Sequence, residues 1–257
     1  MTSGGVFKRG AEIAAGLKQG VLLGAAVLVL TLPPAGLATL RPDTSVRAIV
    51  HAAGGPSRPG ADFALHPASA EARFVANWVA GSQDNHRLPF VILDKREAMV
   101  FVFDAAGRII DASPVLLGAA AGDDSVAGIG KRPIAQVQPE ERTTPAGRFV
   151  SRPGKNAAGE DVLWVDYDAA VSMHRVRPVD PRERRLERLA SPDPSQRRIS
   201  YGCINVPVAF FESVIWPVMA STGGVVYVLP ETKDARQVFA HAYPVGSAPD
   251  RLTGPHM

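Results

Sequence analysis

One cysteine in 257 residues excludes an internal disulfide. The chain also lacks a strong charge of either sign. Its net charge is +3, and residues 1–38 contribute three cations (Lys8, Arg9 and Lys18) against Glu12. The remainder is close to neutral, so no nucleic acid is expected as a partner. No group of cysteines and histidines has metal-ligand spacing, so no metal and no cofactor is expected. No internal repeat is visible, which excludes a solenoid.

Long apolar runs are scarce too. The longest, residues 21–32, follows the positive segment and precedes the small-x-small triplet Gly36-Leu37-Ala38. These are the three parts of an export signal. The uncharged stretch reaches Leu40, close to the ~20 residues of a membrane span, but Pro33-Pro34 interrupts it. Residues 1–38 are therefore read as a signal peptide, with a retained anchor in the inner membrane as the alternative. Either way the rest of the chain is expected outside the cytoplasm, in the periplasm.

Residues 39–68 are rich in Pro, Gly, Ala and Ser and read as a linker. Residues 69–88 hold a short helix, since Phe74, Val75, Trp78 and Val79 recur at helical spacing. From Pro89 the pattern changes to short period-two segments: 89–93, 99–103, 108–111, 149–151, 162–167, 171–176 and 223–229. Residues 114–118 are extended, and 119–142 are polar and Gly-rich, hence loop. One helix follows Pro207, with an apolar stripe of Phe210, Phe211, Val214, Ile215, Val218 and Met219. Pro217 is expected to kink it or cut it short. Many short strands and few helices predict a mainly-β domain over 89–230, a sandwich or irregular barrel. Residues 231–257 read as a loosely ordered tail.

The lone Cys203 lies in Ser200-Tyr201-Gly202-Cys203-Ile204-Asn205. A free cysteine is often a small, inert, buried hydrophobe. A nucleophile needs a neighbouring imidazole or helix N-terminus to favour the thiolate, and donors for the developing oxyanion. His174 is the nearest histidine in sequence and closes a strand. Gly202 lets the backbone approach closely, and the helix start after Cys203 is expected to lend positive potential. His51, His66, His86, His241 and His256 fall in linker, turn or tail contexts and read as surface residues.

These residues resemble the active-site signature of the L,D-transpeptidase (YkuD-type) catalytic domain, in which a histidine is followed by Ser/Thr-His-Gly-Cys-x-Asn/Arg. Three flanking elements agree. Residues 101–110 resemble the opening hairpin, Thr143-Thr144-Pro145-Ala146-Gly147-Arg148-Phe149 the Thr-Pro-x-Gly-x-Phe element, and residues 223–228 the closing strand. The resemblance implies a mainly-β L,D-transpeptidase-like fold with a helix after the catalytic cysteine. It implies Cys203 as nucleophile and His174 as its base, oriented by the Arg175 carbonyl. Tyr201, Gly202 and Ser200 belong to the oxyanion loop, and Asn205 binds substrate or braces that loop. The implied activity is acyl transfer on peptidoglycan stem peptides through a thioester, in cell-wall cross-linking or remodelling. The alternatives are a non-catalytic murein-binding module and a hydrolase using the same Cys–His pair.

The chain departs from the family pattern in three places. Tyr201 stands where the second histidine belongs, and Arg175 where a glycine does. The gap between His174 and Cys203 is longer than usual and crowded with arginines: Arg177, Arg182, Arg184, Arg185, Arg188, Arg197 and Arg198. A run of this kind is either a solvated face or a guanidinium lining for an anionic substrate. The expectation is a lid or rim beside the cysteine, with Arg184 and Arg185 reaching stem-peptide carboxylates and Arg175 also contributing to substrate binding.

Overall fold

The structure, a computed structural model, describes residues 60–245. The expected signal, most of the expected linker and the last part of the tail lie outside the described residues. The rest is mainly β. The strands are β1 (Phe90–Asp94), β2 (Met99–Phe103), β3 (Ile109–Pro114), β4 (Leu117–Gly118), β5 (Gly147–Lys155), β6 (Asp161–Asp166), β7 (Val171–Arg175), β8 (Arg198–Ser200), β9 (Ile204–Val206) and β10 (Gly224–Val228). Eight of them form one sheet in the order β3-β2-β1-β10-β5-β6-β7-β9, and β4 pairs with β8. Neighbours are antiparallel except β1 with β10, β7 with β9 and β4 with β8. Just past β3, Leu116 exchanges two 2.9 Å backbone hydrogen bonds with Asn205 of β9. That bridge joins the two ends of the sheet and makes it a nearly closed, barrel-like wall.

The period-two pattern sorts the side chains between two cores, because alternate residues of a strand face opposite ways. Val91, Leu93, Val100, Val102, Val226 and Val228 point to one, which is mostly aliphatic. Phe90, Ile92, Phe101, Phe103, Val225 and Tyr227 point to the other, which is mostly aromatic. Helix α1 (Ala70–Ser82) covers the aromatic face, with Ser69 as its N-cap. Ser69 Oγ accepts from the Ala72 amide at 3.0 Å and donates to Asp94 at 2.5 Å, so the cap also ties the helix to the end of β1.

The aliphatic face is covered by helix α3, residues 208–219, whose Phe210, Phe211, Val214, Ile215 and Met219 are buried there. The helix does not stop at Pro217. It widens into a π-turn over Phe211–Ile215 and continues as Trp216–Met219. Proline lacks the amide that would close the preceding turn, and a local π-bulge absorbs the loss. A short helix α2 (Arg185–Ala190) interrupts the arginine-rich interval.

Two regions differ from expectation. The end of the expected linker is part of the core: Phe63 is buried and meets Phe101 and Phe103 edge-on at 5.4 and 5.0 Å. One aromatic ring in a Pro/Gly-rich context is enough, since burying it is worth about 2 kcal/mol. The expected loose tail packs at least through Phe239. Helix α4 (Ala235–Val238) is capped by Asp234 and sends Ala235 and Phe239 into the aromatic core.

Candidate active site

Strand pairing assembles the site. On β7, Val171 and Met173 enter the aliphatic core, so Ser172 and His174 face the other way. On β9, Ile204 and Val206 enter the same core, so Asn205 faces away with Cys203 two residues before it. The parallel register sets His174 beside Asn205 and Met173 beside Ile204. That places Ser172 level with Cys203, and Ser172 Oγ lies 3.7 Å from Cys203 Sγ. The thiol also points at the Ala170 carbonyl, 3.6 Å away.

His174 Nδ1 lies 2.8 Å from the Arg175 carbonyl. The carbonyl can only accept, so Nδ1 carries the proton and Nε2 presents its lone pair. The imidazole acts on the half-buried thiol. Burial pushes the Cys203 pKa up, but hydrogen bonding and charge from His174, with help from Ser172, outweigh it, and the thiol lies below its ordinary value. The helix contributes little. It begins at Val208, with β9 between, about 10 Å of extended chain. A helix-terminal field fades within one turn.

The loop before the cysteine is held from three sides. Thr144, fully buried, donates its hydroxyl to the Gly202 carbonyl at 2.9 Å and accepts from the Gly118 amide at 2.9 Å. Ser200 Oγ donates to the Cys203 carbonyl at 2.6 Å and accepts from the Gly202 amide at 3.1 Å. Arg142 lies over the Tyr201 ring at 4.1 Å. Gly202 has φ +122°, and a Cβ there would sit 2.7 Å from the Thr143 carbonyl oxygen. No side chain fits that position.

Beneath Thr144 lies a buried charge cluster. Lys95, with no exposure, donates to the Gly122 carbonyl at 2.5 Å, to Asp123 at 2.8 Å and to the Thr144 carbonyl at 2.9 Å. Three acceptors match its three N–H groups. Asp123 also accepts from the amides of Glu231, Thr232 and Lys233. Burial pushes its carboxyl up, but the Lys95 and Thr232 hydrogen bonds and those amides hold it well below the usual carboxylate range.

Cys203, His174, Ser200, Tyr201 and Asn205 line one cleft of about 500 Å³, with Ile134, Arg177, Val179, Asp180, Glu183 and Arg185 on its rim. The expected residues separate here. Arg185 is in the cleft wall. Arg184 points out to Glu187 and lines a different, smaller hollow with Glu187, Arg188, Ser191 and Gln196. The Arg175 side chain stacks on Phe211 at 4.2 Å and pairs with Glu212 at 2.5 Å, so only its backbone serves the site.

Nor is the arginine run a free cationic lining. Arg177 pairs with Glu160, Arg182 with Asp180, Arg185 with Glu183 and Arg198 with Glu231, while Arg188 and Arg197 donate to backbone carbonyls. Sequence reasoning passed over Ser172, although its place two residues before His174 on a strand puts both on one face. It also passed over Lys95 and Asp123, because an isolated Lys and Asp carry no sequence sign of burial. Among the described residues no cluster of His, Cys, Asp or Glu is arranged to hold a metal, and no helix is long and apolar enough to cross a membrane.

No family model matches the chain, and no curated protein matches it. Solved structures do. The catalytic domain of an Enterococcus faecium L,D-transpeptidase is 16% identical, with 55% of this chain and 96% of that one covered and a TM-score of 0.31. An L,D-transpeptidase from Xylanimonas cellulosilytica is 16% identical over 55% of this chain and 60% of its own, with a TM-score of 0.33. The helical cell shape determining protein Pgp2 from Campylobacter jejuni is 15% identical over 57% of this chain and 49% of its own, with a TM-score of 0.35. The chain thus spans nearly all of the first, and about three fifths and half of the other two.

Proposed function

We propose that the protein is an exported cysteine acyl-transferase of the L,D-transpeptidase type, acting on peptidoglycan stem peptides. The observation that carries the reading is the Cys203–His174 pair: a thiol with a depressed pKa beside an imidazole whose Nδ1 is tied to the Arg175 carbonyl, at the foot of an open cleft. A pure binding module has no use for such a pair.

In the proposed reaction, the Cys203 sulfur attacks the carbonyl of an L-residue in the donor stem. A C–S bond forms and the C–N bond to the terminal D-residue breaks. The leaving amine takes the proton that His174 received from the thiol. An incoming amine then attacks the thioester carbonyl, a new C–N bond forms as the C–S bond breaks, and the amine's proton returns through His174 to the departing sulfur. Water as acceptor makes the outcome hydrolysis. The Gly202 amide is engaged by Ser200 Oγ, which leaves the amides of Tyr201 and Cys203 as candidate oxyanion donors. The N-terminal signal would deliver the domain to the periplasm, and a retained signal would tether it to the inner membrane.

Intact-mass spectrometry of the purified protein with a tetrapeptide stem, and separately with a carbapenem, tests this. The expected result is an acyl adduct on Cys203, absent in Cys203→Ser and strongly slowed in His174→Gln. A folded protein that gains no adduct from either reagent returns Cys203 to an inert core thiol.

A further inference from the structure

The excursion between β7 and β8 reaches the catalytic pair through one side chain. Arg185 opens α2, and its side chain is only 14% exposed. It donates to Glu183 at 2.5 Å and, through Nη1, to Asn205 Oδ1 at 2.6 Å. A guanidinium can only donate, so the Asn205 atom facing it is the oxygen. The amide nitrogen is thereby turned inward. It lies 3.3 Å from the Cys203 carbonyl and 3.5 Å from His174 Nε2. Asn205 is itself buried, in register with His174 on the neighbouring strand. Arg185 at the oxygen and the Cys203 carbonyl at the nitrogen together fix which end of the Asn205 amide the imidazole meets, and the Arg185 contact is the shorter.

We propose that Arg185 is a positioning residue that restrains the resting Cys203–His174 pair by keeping the Asn205 amide N–H aimed at His174 Nε2. An N–H on that lone pair favours the neutral ring, and so opposes transfer of the thiol proton to it. When Arg185 lets go, the amide can turn. Its oxygen then accepts from a protonated Nε2, which favours the thiolate–imidazolium pair. The excursion is on this view a governor of the nucleophile, not only a wall of the cleft. The inference rests on the Cys203–His174 reading of the site but not on the nature of the substrate.

The charged and titratable groups facing the pair are Arg177, Asp180, Glu183 and Arg185 from the excursion and Tyr201 from the nucleophile loop, and Glu160, Asp161 and Arg175 share a smaller hollow with His174. A test must therefore leave charge unchanged. Arg185→Lys does so while losing the planar fork that spans Glu183 and Asn205. The rate of Cys203 alkylation by iodoacetamide, followed from pH 5 to 10 in the full chain, reads the apparent thiol pKa without any peptide substrate.

The expected result is an acid shift of the midpoint by about half a unit or more in Arg185→Lys and in Asn205→Ala. The double variant should move no further, because both act through one contact. Arg184→Lys, next door on the surface, should leave the profile unchanged. An unmoved midpoint in Arg185→Lys, a shift to higher pH, or additive shifts in the double variant overturns the proposal. If Arg185→Lys does not fold, Asn205→Ala decides alone: an unmoved midpoint there also overturns it. Loss of peptide acylation with these shifts intact would count against the proposed function and leave the restraint standing.

Discussion

Two charged regions support the same cleft, and they are built in opposite ways. Under Thr144, one ammonium and one carboxylate lie wholly inside the protein: the Lys95 and Asp123 side chains have no exposure. Across the cleft, the 177–198 excursion carries many more charges, several of them at the surface, although Arg185, Arg197 and Arg198 are largely buried. Arg182 and Arg184 are 89% and 68% exposed, with carboxylate partners two and three residues away. The buried pair connects residues far apart in sequence, from the β1–β2 turn to residues 122–123 and 144. The exposed pairs of Arg182 and Arg184 are local and hold only their own segment in shape. Burial and the span of chain bridged, not the number of charges, decide which region the site depends on.

The comparison breaks most visibly at Lys95. Lys95→Met leaves the Asp123 charge buried without its cation and frees the Thr144 carbonyl. Removing one partner of a buried pair costs about 3–5 kcal/mol, which a urea-denaturation midpoint will register. Adding Asp123→Leu should recover part of the loss, since it removes the stranded charge. A Lys95→Met protein as stable as wild type would mean that water reaches the pair.

The same pair sets the acid limit. The Asp123 carboxyl titrates below its ordinary value of 3.8 in the folded chain, so its contribution is present above that value and lost as pH falls through the folded one. Stability measured in urea from pH 5 down to pH 2 should fall more steeply for wild type than for Asp123→Asn. Equal slopes would place the acid sensitivity elsewhere.

This contrast marks the limit of what the sequence could tell. The strands were legible because strands covered on both faces read as short unbroken runs of β-branched and aromatic residues, as at Phe90–Asp94 and Met99–Phe103. The residues around Cys203 were legible because their spacing is local. The partners of the arginines were not. Arg184 and Arg185 are neighbours in sequence, yet one faces solvent and the other Asn205, and only the αL turn at Arg184 before α2 separates them. Lys95 and Asp123 were illegible for a related reason: their pairing depends on two loops meeting, and a loop's path is not encoded in periodicity. The π-turn ahead of Pro217 shows a third limit, since the proline predicts a disturbance but not how the helix absorbs it.

Between the extremes stands Thr144. Its hydroxyl passes the order of the buried cluster to the Gly202 carbonyl, next to the nucleophile. Thr144→Val keeps the shape but strands the buried Gly118 amide, at about 1–3 kcal/mol. The more telling effect is expected on Cys203 itself. With the loop loosened, carbapenem acylation should slow while the urea midpoint shifts less than in Lys95→Met. A stability loss with unchanged acylation would uncouple the cluster from the site.

The smallest effect is expected at Arg184, and it sharpens the comparison from the other side. Its guanidinium pairs with Glu187 on the same short helix, in full contact with water. Both side chains give up rotamer freedom to meet, and salt screens what they gain. Arg184→Ala should leave the urea midpoint within error at both low and high ionic strength. It should also leave the acylation of Cys203 by a stem peptide unchanged, because the side chain lies outside the cleft wall. Arg185→Lys, one residue on, should alter the Cys203 alkylation profile. A peptide Michaelis constant that rises in Arg184→Ala would show that this arginine meets substrate after all, through a movement of the 177–198 excursion over the cleft. Equal behaviour of the two variants would erase the distinction between a paired surface charge and one that reaches the catalytic pair.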